Sequence, residues 1–238
     1  MTRETPDIET SSDAYARRFS GPVGRFFLEV QSRATLELLQ PWLPCSVLDV
    51  GGGHAQLAAP LAHAGCSVTV LGSSTECARR LEPLLRDRRA AFVTGDIQAA
   101  PFGDQSFDVV LAFRLLPHVA RWEALLVELG RLARRAVVVD YPTRRSVNAV
   151  ADAFFGLKRG VERDTRPFRV FGEREIAGAA SAAGLGETAR RPQFFAPMAL
   201  HRALRAVTVS RALESTARLV GLTRWLGSPV VLRLEKNG

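Results

Sequence analysis

Long apolar runs and cysteine pairs are both missing from this sequence. No run of about 18 or more apolar residues occurs, so no membrane-spanning helix is predicted. The first residues, MTRETPDIETSSDAY, contain no apolar run and do not resemble a signal peptide. Three cysteines, Cys45, Cys66 and Cys77, stand singly without a CxxC pair. These absences argue against a disulfide framework and predict a cytoplasmic protein.

Motifs of several other protein classes are absent as well. The chain has no Gly-Lys-Ser/Thr phosphate loop and no Gly-x-Ser-x-Gly hydrolase elbow. No cluster of His, Cys and carboxylate residues has metal-ligand spacing, so no metal is expected. The basic residues lack interleaved aromatics and no nucleic-acid-binding module is recognised, so no nucleic-acid partner is expected.

The 238 residues are enough for one sizeable core, and short apolar runs alternate along them with segments of helical periodicity. This alternation predicts an α/β fold with a Rossmann-like, doubly wound parallel sheet. The predicted strands cover 46–50, 66–72, 90–96, 107–113, 135–142 and a final 228–236. The predicted helices cover 24–40, 55–65, 74–85, 121–133 and 173–184.

Three glycines follow the first predicted strand, in VLDVGGGHAQLA (47–58). Gly51 and Gly53 fill the first two places of a Gly-x-Gly-x-x-Gly dinucleotide turn, but Gln56 stands at the third, which disfavours a nicotinamide enzyme. Glycine lets the backbone approach a ligand closely, and Asp49 adds a carboxylate for a cationic or amino group. The alternative is a tight turn that binds nothing.

This segment resembles the first motif of class I S-adenosylmethionine-dependent methyltransferases, and VTGDIQAAPFGDQSFDVVLAFRLLPHV (93–119) resembles their later motifs. The resemblance covers about residues 46–142 and is closest to the small-molecule, methyltransferase type 11-like branch. It implies S-adenosylmethionine as cofactor, an antiparallel final strand and an adenine contact from Asp96. The cofactor residues that it implies are Asp49, Gly51, Gly52, Gly53, Gly72, Ser73, Asp96, Ile97 and Phe113, with Tyr15 as an aromatic cover or, alternatively, as a residue of a satellite core.

One position departs from the family pattern. The second strand of family members usually ends in an acid that binds the ribose hydroxyls, and Gly72 stands there in this chain. Ser73 or Ser74 could bind the ribose instead, Glu76 could reach back, or the site could have lost the cofactor. We favour the hydroxyls, and on that interpretation we expect Gly72→Asp to be tolerated or to tighten cofactor binding.

Methyl transfer depends mainly on aligning the acceptor atom with the methyl group. A general base is needed only when the acceptor has a high pKa. His118 and Tyr141 are the candidate catalytic residues, because both follow strands at the edge where ligands bind in such folds. His118 could equally be a helix-cap or loop histidine. His54, within the glycine turn, is expected to orient the backbone.

Residues 142–226 hold 15 Lys/Arg and seven Asp/Glu. Their net charge of +8 equals that of the whole chain. Two basic inserts lie there, 143–171 and 197–227. They could form a lid over an apolar acceptor, an amphipathic surface for an anionic membrane, a homodimer face or a solvated helix face.

The predicted organisation is a cap segment in 1–40, a cofactor-binding core in 41–142 and an acceptor-side half in 143–238. The predicted function is methyl transfer from S-adenosylmethionine to oxygen or carbon of a small apolar or anionic acceptor. The alternative is a non-catalytic, cofactor-binding regulatory or partner subunit.

Overall fold

A seven-stranded sheet lies at the centre of the computed structural model, which describes residues 3–147 and 168–237. The strand order is β3-β2-β1-β4-β5-β7-β6. The strands are β1 Ser46–Val50, β2 Ser67–Gly72, β3 Ala91–Thr94, β4 Phe107–Ala112, β5 Ala133–Tyr141, β6 Leu185–Phe194 and β7 Ser228–Lys236.

The first five strands pair in parallel, and β7 pairs antiparallel with both β5 and β6. The predicted fold class, a mostly parallel Rossmann-like sheet with an antiparallel final strand, is confirmed. Parallel strands in a covered sheet are largely apolar, and β4 and β5 contain the apolar runs VVLA and AVVV, while β1 is apolar apart from Ser46 and Asp49.

Ten described helices connect or cover these strands. They are α1 Asp7–Thr10, α2 Asp13–Arg17, α3 Gly21–Leu39, α4 Ala58–His63, α5 Glu82–Arg86, α6 Trp122–Leu132, α7 Glu173–Ala182, α8 Met198–Leu204, α9 Val207–Leu219 and α10 Leu222–Leu226. Within the described ranges no helix combines the length and apolarity that crossing a bilayer requires.

Some elements differ from their predicted bounds for local reasons. A 3-10 turn covers Gly52–His54, and Ala55 has a φ of 64°, so α4 begins later than predicted. The predicted helix 74–85 is a 3-10 helix over Thr75–Leu81 followed by α5, which begins around Pro83. Strand β6 was not predicted, because as an edge strand it alternates weakly and exposes polar residues. Most of the insert 143–171 lies outside the described residues.

The core has two layers, one on each face of the sheet. The α6 and α7 face buries residues such as Leu48, Val110 and Leu126, and the α3 and α4 face buries residues such as Val47, Leu61 and Leu111. The short helix α1 packs against the glycine turn that follows β1 and against the 3-10 helix after β2. The N-terminal segment therefore lies over the carboxyl edge of the sheet, where ligands bind in this class of fold.

Candidate active site

The glycines of the turn after β1 are required by close approaches. Gly51 has a φ of +70°, and its amide donates to the backbone at the end of β2. A Cβ on Gly52 would collide with the Asp49 carboxylate, and a Cβ on Gly53 would collide with Ser11 Oγ. The turn therefore leaves backbone rather than side chains next to whatever lies above it.

Asp49 is buried directly beneath this turn, with 2% of its surface exposed. Burial raises the pKa of its carboxyl to about 7, and the nearby Arg114 guanidinium opposes that shift. Its Oδ1 atom has no hydrogen-bond partner. A buried carboxylate of this kind suits a cationic or hydroxyl group of a ligand, because such a partner would offset the free-energy cost of burying the carboxylate.

Other buried polar atoms around the turn are also unpaired. Burial lowers the pKa of His54 to about 3, so its ring is neutral near pH 7. Buried polar groups in native proteins nearly always have partners, so this cluster fits the amino, carboxylate and ribose groups of S-adenosylmethionine. The unpaired atoms are Asp7 Oδ1, Asp49 Oδ1, both ring nitrogens of His54, Ser73 Oγ and Arg114 Nη1.

The residues predicted to contact the adenosine lie at the ends of β2, β3 and β4, and they differ in burial and in hydrogen bonding. Asp96 follows β3, and its Oδ1 accepts the Gln98 amide at 2.9 Å. Ile97 is fully buried in the core, and Phe113 is largely buried at the end of β4. Ser73 follows β2, with its hydroxyl buried and unpaired.

Gly72 has no room for a side chain. A Cβ there would lie 2.7 Å from Phe92 Cζ and 2.8 Å from Cys77 Cβ. The expectation that Gly72→Asp would be tolerated is therefore wrong, because even the first carbon of the new side chain overlaps two neighbours.

Arg114 forms a buried polar cluster with residues from α3 and β5. Its backbone amide donates to Asp140 Oδ1, and its Nη2 donates to Gln31 Oε1 at 2.8 Å. Gln31 Nε2 in turn donates to Asp140 Oδ2 at 2.7 Å. Burial lowers the pKa of Arg114 and raises that of Asp140, while each favours the charged form of the other. The cluster presents one guanidinium at the ends of β4 and β5.

Tyr15 covers this cluster from α2. Its ring lies edge-on to His54 with centroids 5.8 Å apart, and the Arg114 guanidinium lies 6.0 Å from its centroid. Burial raises the pKa of the Tyr15 hydroxyl. The predicted cover residue thus lies beside the glycine turn.

A cavity of about 200 Å³ opens next to Arg114 and Asp140. His118 lies at its edge, with its ring 5.7 Å from that of Phe168. The cavity combines one buried guanidinium and one carboxyl with a largely apolar wall, which suits a small apolar molecule that carries a polar group. Its apolar wall is formed by Phe19, Phe27, Phe168, Phe194, Met198 and three prolines.

Tyr141 lies elsewhere. Neighbouring residues of a strand point to opposite faces, so Tyr141 turns away from the cavity that Asp140 lines. Its ring packs 6.1 Å from that of Phe171 in the core, and burial raises its pKa to about 12. Of the two predicted catalytic residues, only His118 lines the cavity.

Sequence reasoning missed Arg114, Gln31 and Asp7. The position of Arg114 directly after the fourth apolar strand was a signal that could have found it. Gln31 was hidden within an amphipathic helix, and Asp7 within a polar N-terminal segment, so neither had a signal of its own.

The family of methyltransferase domains matches residues 48–138, which contain the glycine turn, Asp96 and Arg114. This match covers less than half of the chain. The predicted resemblance to class I S-adenosylmethionine-dependent methyltransferases is confirmed by this match together with the fold.

A demethylmenaquinone methyltransferase of Roseiflexus sp. (strain RS-1) is 42% identical over 57 residues. The match spans 24% of this chain and 24% of that protein, about a quarter of the relative's length.

Solved structures share the fold over most of the chain. Magnesium protoporphyrin IX methyltransferase of Synechocystis PCC 6803, with bound S-adenosylhomocysteine, has a TM-score of 0.67 and 16% identity over 94% of both chains. The Burkholderia thailandensis 1,6-didemethyltoxoflavin-N1-methyltransferase has a TM-score of 0.64 and 16% identity, over 97% of this chain and 85% of that chain. The class I methyltransferase fold is that of proteins solved with S-adenosylmethionine or its product bound.

Proposed function

We propose that this chain transfers a methyl group from S-adenosylmethionine to oxygen or carbon of a small acceptor that is largely apolar and carries an anionic or acidic group. The observation that carries the proposal is the contact between two sites. The unpaired polar cluster at the glycine turn and the apolar cavity share Arg114, and Tyr15 lines the cavity while its ring lies edge-on to His54 of the cluster. A cofactor over the turn would therefore border an acceptor in the cavity.

The bound cofactor supplies an electrophilic methyl on a sulfonium, and the protein supplies position. The glycine turn and Asp49 hold the cofactor. Arg114 orients an anionic oxygen of the acceptor, and the aromatic wall excludes water around it. His118, at the edge of the cavity, can accept a proton from a hydroxyl or an activated carbon acid.

Relatives support a small-molecule acceptor. The matched proteins are named for a quinone precursor, a porphyrin and a toxoflavin precursor, all small ring compounds. The apolar wall and the single buried guanidinium of this chain suit a ring compound with an acidic oxygen. The acceptor class rests on that lining and is part of the proposal.

The competing function is that of a cofactor-binding subunit without catalysis. Incubating the protein with methyl-13C-labelled S-adenosylmethionine and a small-molecule cell extract distinguishes the two. Mass spectrometry should find a labelled product with the wild type and none with Gly53→Val, which blocks the turn. Tight binding of S-adenosylhomocysteine without any labelled product would favour the subunit.

The insert 197–227 is proposed to serve two purposes. Its first helix, α8, contributes Met198 to the cavity wall, as a lid would. Glu214 of α9 holds α8 in place, accepting from the buried His201 ring at 2.9 Å and from the amides of Phe195 and Ala196.

The far end of the insert faces solvent. Leu219, Val220 and Trp225 are 88%, 63% and 60% exposed. Trp225 lines a groove of about 740 Å³ that also contains two carboxylates, Glu37 and Glu173, which pair with Arg191 and Arg190. The groove has an excess of positive charge, because its lining also includes Arg33, Arg145, Arg218 and Arg224. This combination of apolar and cationic side chains favours peripheral contact with an anionic lipid surface over a homodimer face, and we place the reaction at the cytoplasmic side of such a surface.

A further inference from the structure

The end of β2 cannot carry the acid that family members use for the ribose, because a side chain at Gly72 would overlap Phe92 and Cys77. Another carboxylate lies at this place. Asp7, from α1, is fully buried, and its Oδ2 accepts the Ser73 backbone amide at 2.6 Å. The Cys77 thiol donates to the same oxygen at 3.4 Å.

Charged neighbours anchor the segment that carries Asp7. The Arg3 guanidinium donates to the Ser73 carbonyl at 2.8 Å and to the Gly95 carbonyl after β3. The Glu4 carboxylate accepts the backbone amide of Ala120 at 2.6 Å, just before α6. Residues 3–7 are thus attached to the carboxyl ends of two strands and to the loop before α6, which fixes the direction of the Asp7 side chain.

Two polar atoms at this place have unused hydrogen-bonding capacity. Asp7 Oδ1 and Ser73 Oγ are both buried and have no hydrogen-bond partner. A carboxylate oxygen accepts hydroxyl donors, and a serine hydroxyl can donate or accept. Together they match the two neighbouring hydroxyls of a ribose.

We propose that Asp7 supplies the carboxylate that accepts the ribose hydroxyls of S-adenosylmethionine, with Ser73 as the second contact. The N-terminal segment is then part of the cofactor site, outside the matched domain 48–138. Asp7, which lies 65 positions earlier in the chain, then replaces the acid that is missing at Gly72.

An alternative role for the same segment is to exclude the cofactor, which would have the opposite effect on cofactor affinity. Asp7 Cβ lies 3.4 Å from where a Cβ on Gly51 would be, so the segment packs closely on the turn. If residues 3–12 excluded the cofactor instead of binding it, weakening the segment would raise cofactor affinity.

Calorimetric titrations of wild type, Asp7→Asn and Asp7→Ser with S-adenosylhomocysteine and its 2′,3′-dideoxy analogue separate these roles. The wild type should bind the dideoxy analogue, which lacks both ribose hydroxyls, roughly 10- to 100-fold more weakly than S-adenosylhomocysteine. This is the range for hydrogen bonds to a charged group. Asp7→Asn should weaken S-adenosylhomocysteine by a similar factor and should lose most of the discrimination between the two ligands. Asp13→Asn, which alters an exposed acid of the same segment that pairs with Arg79 and Arg80, is the control and should change neither.

Tighter binding of both ligands by the Asp7 variants would overturn the proposal in favour of exclusion. Unchanged discrimination would overturn it in favour of another ribose contact. Hydrogen exchange on the wild type gives an independent answer that needs no variant to fold. S-adenosylhomocysteine should slow amide exchange in residues 3–12, whereas faster exchange would mean that the segment is expelled. Wild-type binding without methyl transfer would defeat the proposed function and leave this inference standing.

Discussion

The backbone amide of Arg114 donates to Asp140 Oδ1 at 2.5 Å, which joins the residue after β4 to the end of β5. Gln31 of α3 completes the arrangement by donating to the other Asp140 oxygen and accepting from the Arg114 guanidinium. Arg114 has a φ of 56°, a conformation that residues other than glycine adopt only when their surroundings enforce it. The enforced conformation directs a charged side chain toward the cavity of about 200 Å³.

Arg114→Lys should lower formation of the labelled product roughly 10- to 100-fold, because an ammonium cannot reproduce the planar fork that reaches both Gln31 and an acceptor oxygen. The readout is kcat/KM for the methylated compound, with S-adenosylhomocysteine affinity measured in parallel. Arg211→Lys is the matched control. Arg211 is half exposed and pairs with Glu29 at 2.7 Å, and its replacement should leave turnover within about twofold. Equal turnover in the two variants would remove Arg114 from the acceptor site.

Cofactor identity is tested at Gly53. S-adenosylhomocysteine should raise the melting temperature of the wild type and NADH should not, because a ligand stabilises the folded state that it binds. Gly53→Ala should abolish the shift, since its Cβ would meet Ser11 Oγ and lie 2.7 Å from the Cys77 carbonyl.

Gly178→Ala on α7 is the control for that substitution. No atom lies within 4 Å of a Cβ at Gly178, so this variant should keep the full shift. Stabilisation by NADH, or an undiminished shift in Gly53→Ala, would contradict the assignment of the turn.

The parallel half of the fold could be predicted from sequence because each buried strand contains a short, mostly apolar run that ends in a turn. The strand β1 shows this most clearly, since Val47 to Val50 are all buried and the glycines follow at once. The edge strand β6 could not be predicted, because its ladder is one-sided and its residues are mostly polar or partly exposed.

The site divides in the same way. Asp49 and the glycines are local features of one strand and one turn, so their grouping is visible in the sequence. The contacts of Asp7 with Ser73 and of Gln31 with Asp140 join residues 66 and 109 positions apart. Such pairings depend on how the N-terminal helices pack across the sheet edge, and local periodicity carries no information about that packing.

Lipid contact is tested on the exposed end of the insert. The double variant Arg224→Glu and Trp225→Ser should lose cosedimentation with vesicles containing phosphatidylserine and keep its S-adenosylhomocysteine affinity. Each basic side chain near an anionic surface contributes about 1 kcal/mol, and Trp225 adds apolar area that is now exposed.

Binding in that experiment should also fall as salt is raised, because the attraction is screened. Val127→Ser removes an apolar side chain of α6 that is 52% exposed and serves as the control, with no expected effect. The wild type could instead fail to bind the vesicles and elute as a dimer while the double variant elutes as a monomer. That outcome would assign the surface to self-association.

Asp49 should also make stability depend on pH. Its pKa of about 7 lies above its ordinary value of 3.8, so the folded chain binds a proton that the unfolded chain has released. The contribution is therefore complete below about pH 4 and is lost as pH rises through 7, amounting to about 4 kcal/mol. Urea unfolding between pH 4 and 8 should show this decline for the ligand-free wild type. Asp49→Asn should show a weaker decline, because the raised pKa of Asp140 acts in the same direction.

The same carboxyl should make cofactor binding tighter as pH rises. S-adenosylhomocysteine carries an ammonium, which favours the ionised form of Asp49, so binding below pH 7 must first release a proton. Affinity should be about tenfold weaker at pH 6 than at pH 8 and should level off above pH 7. His54 does not compete in this range, because its pKa is about 3. Calorimetry in buffers of different ionisation enthalpy would count the released proton directly. Asp49→Asn should bind more weakly at pH 8 and should lose the pH dependence. An affinity that stays constant from pH 6 to 8 in the wild type would mean that the ligand's ammonium lies away from Asp49.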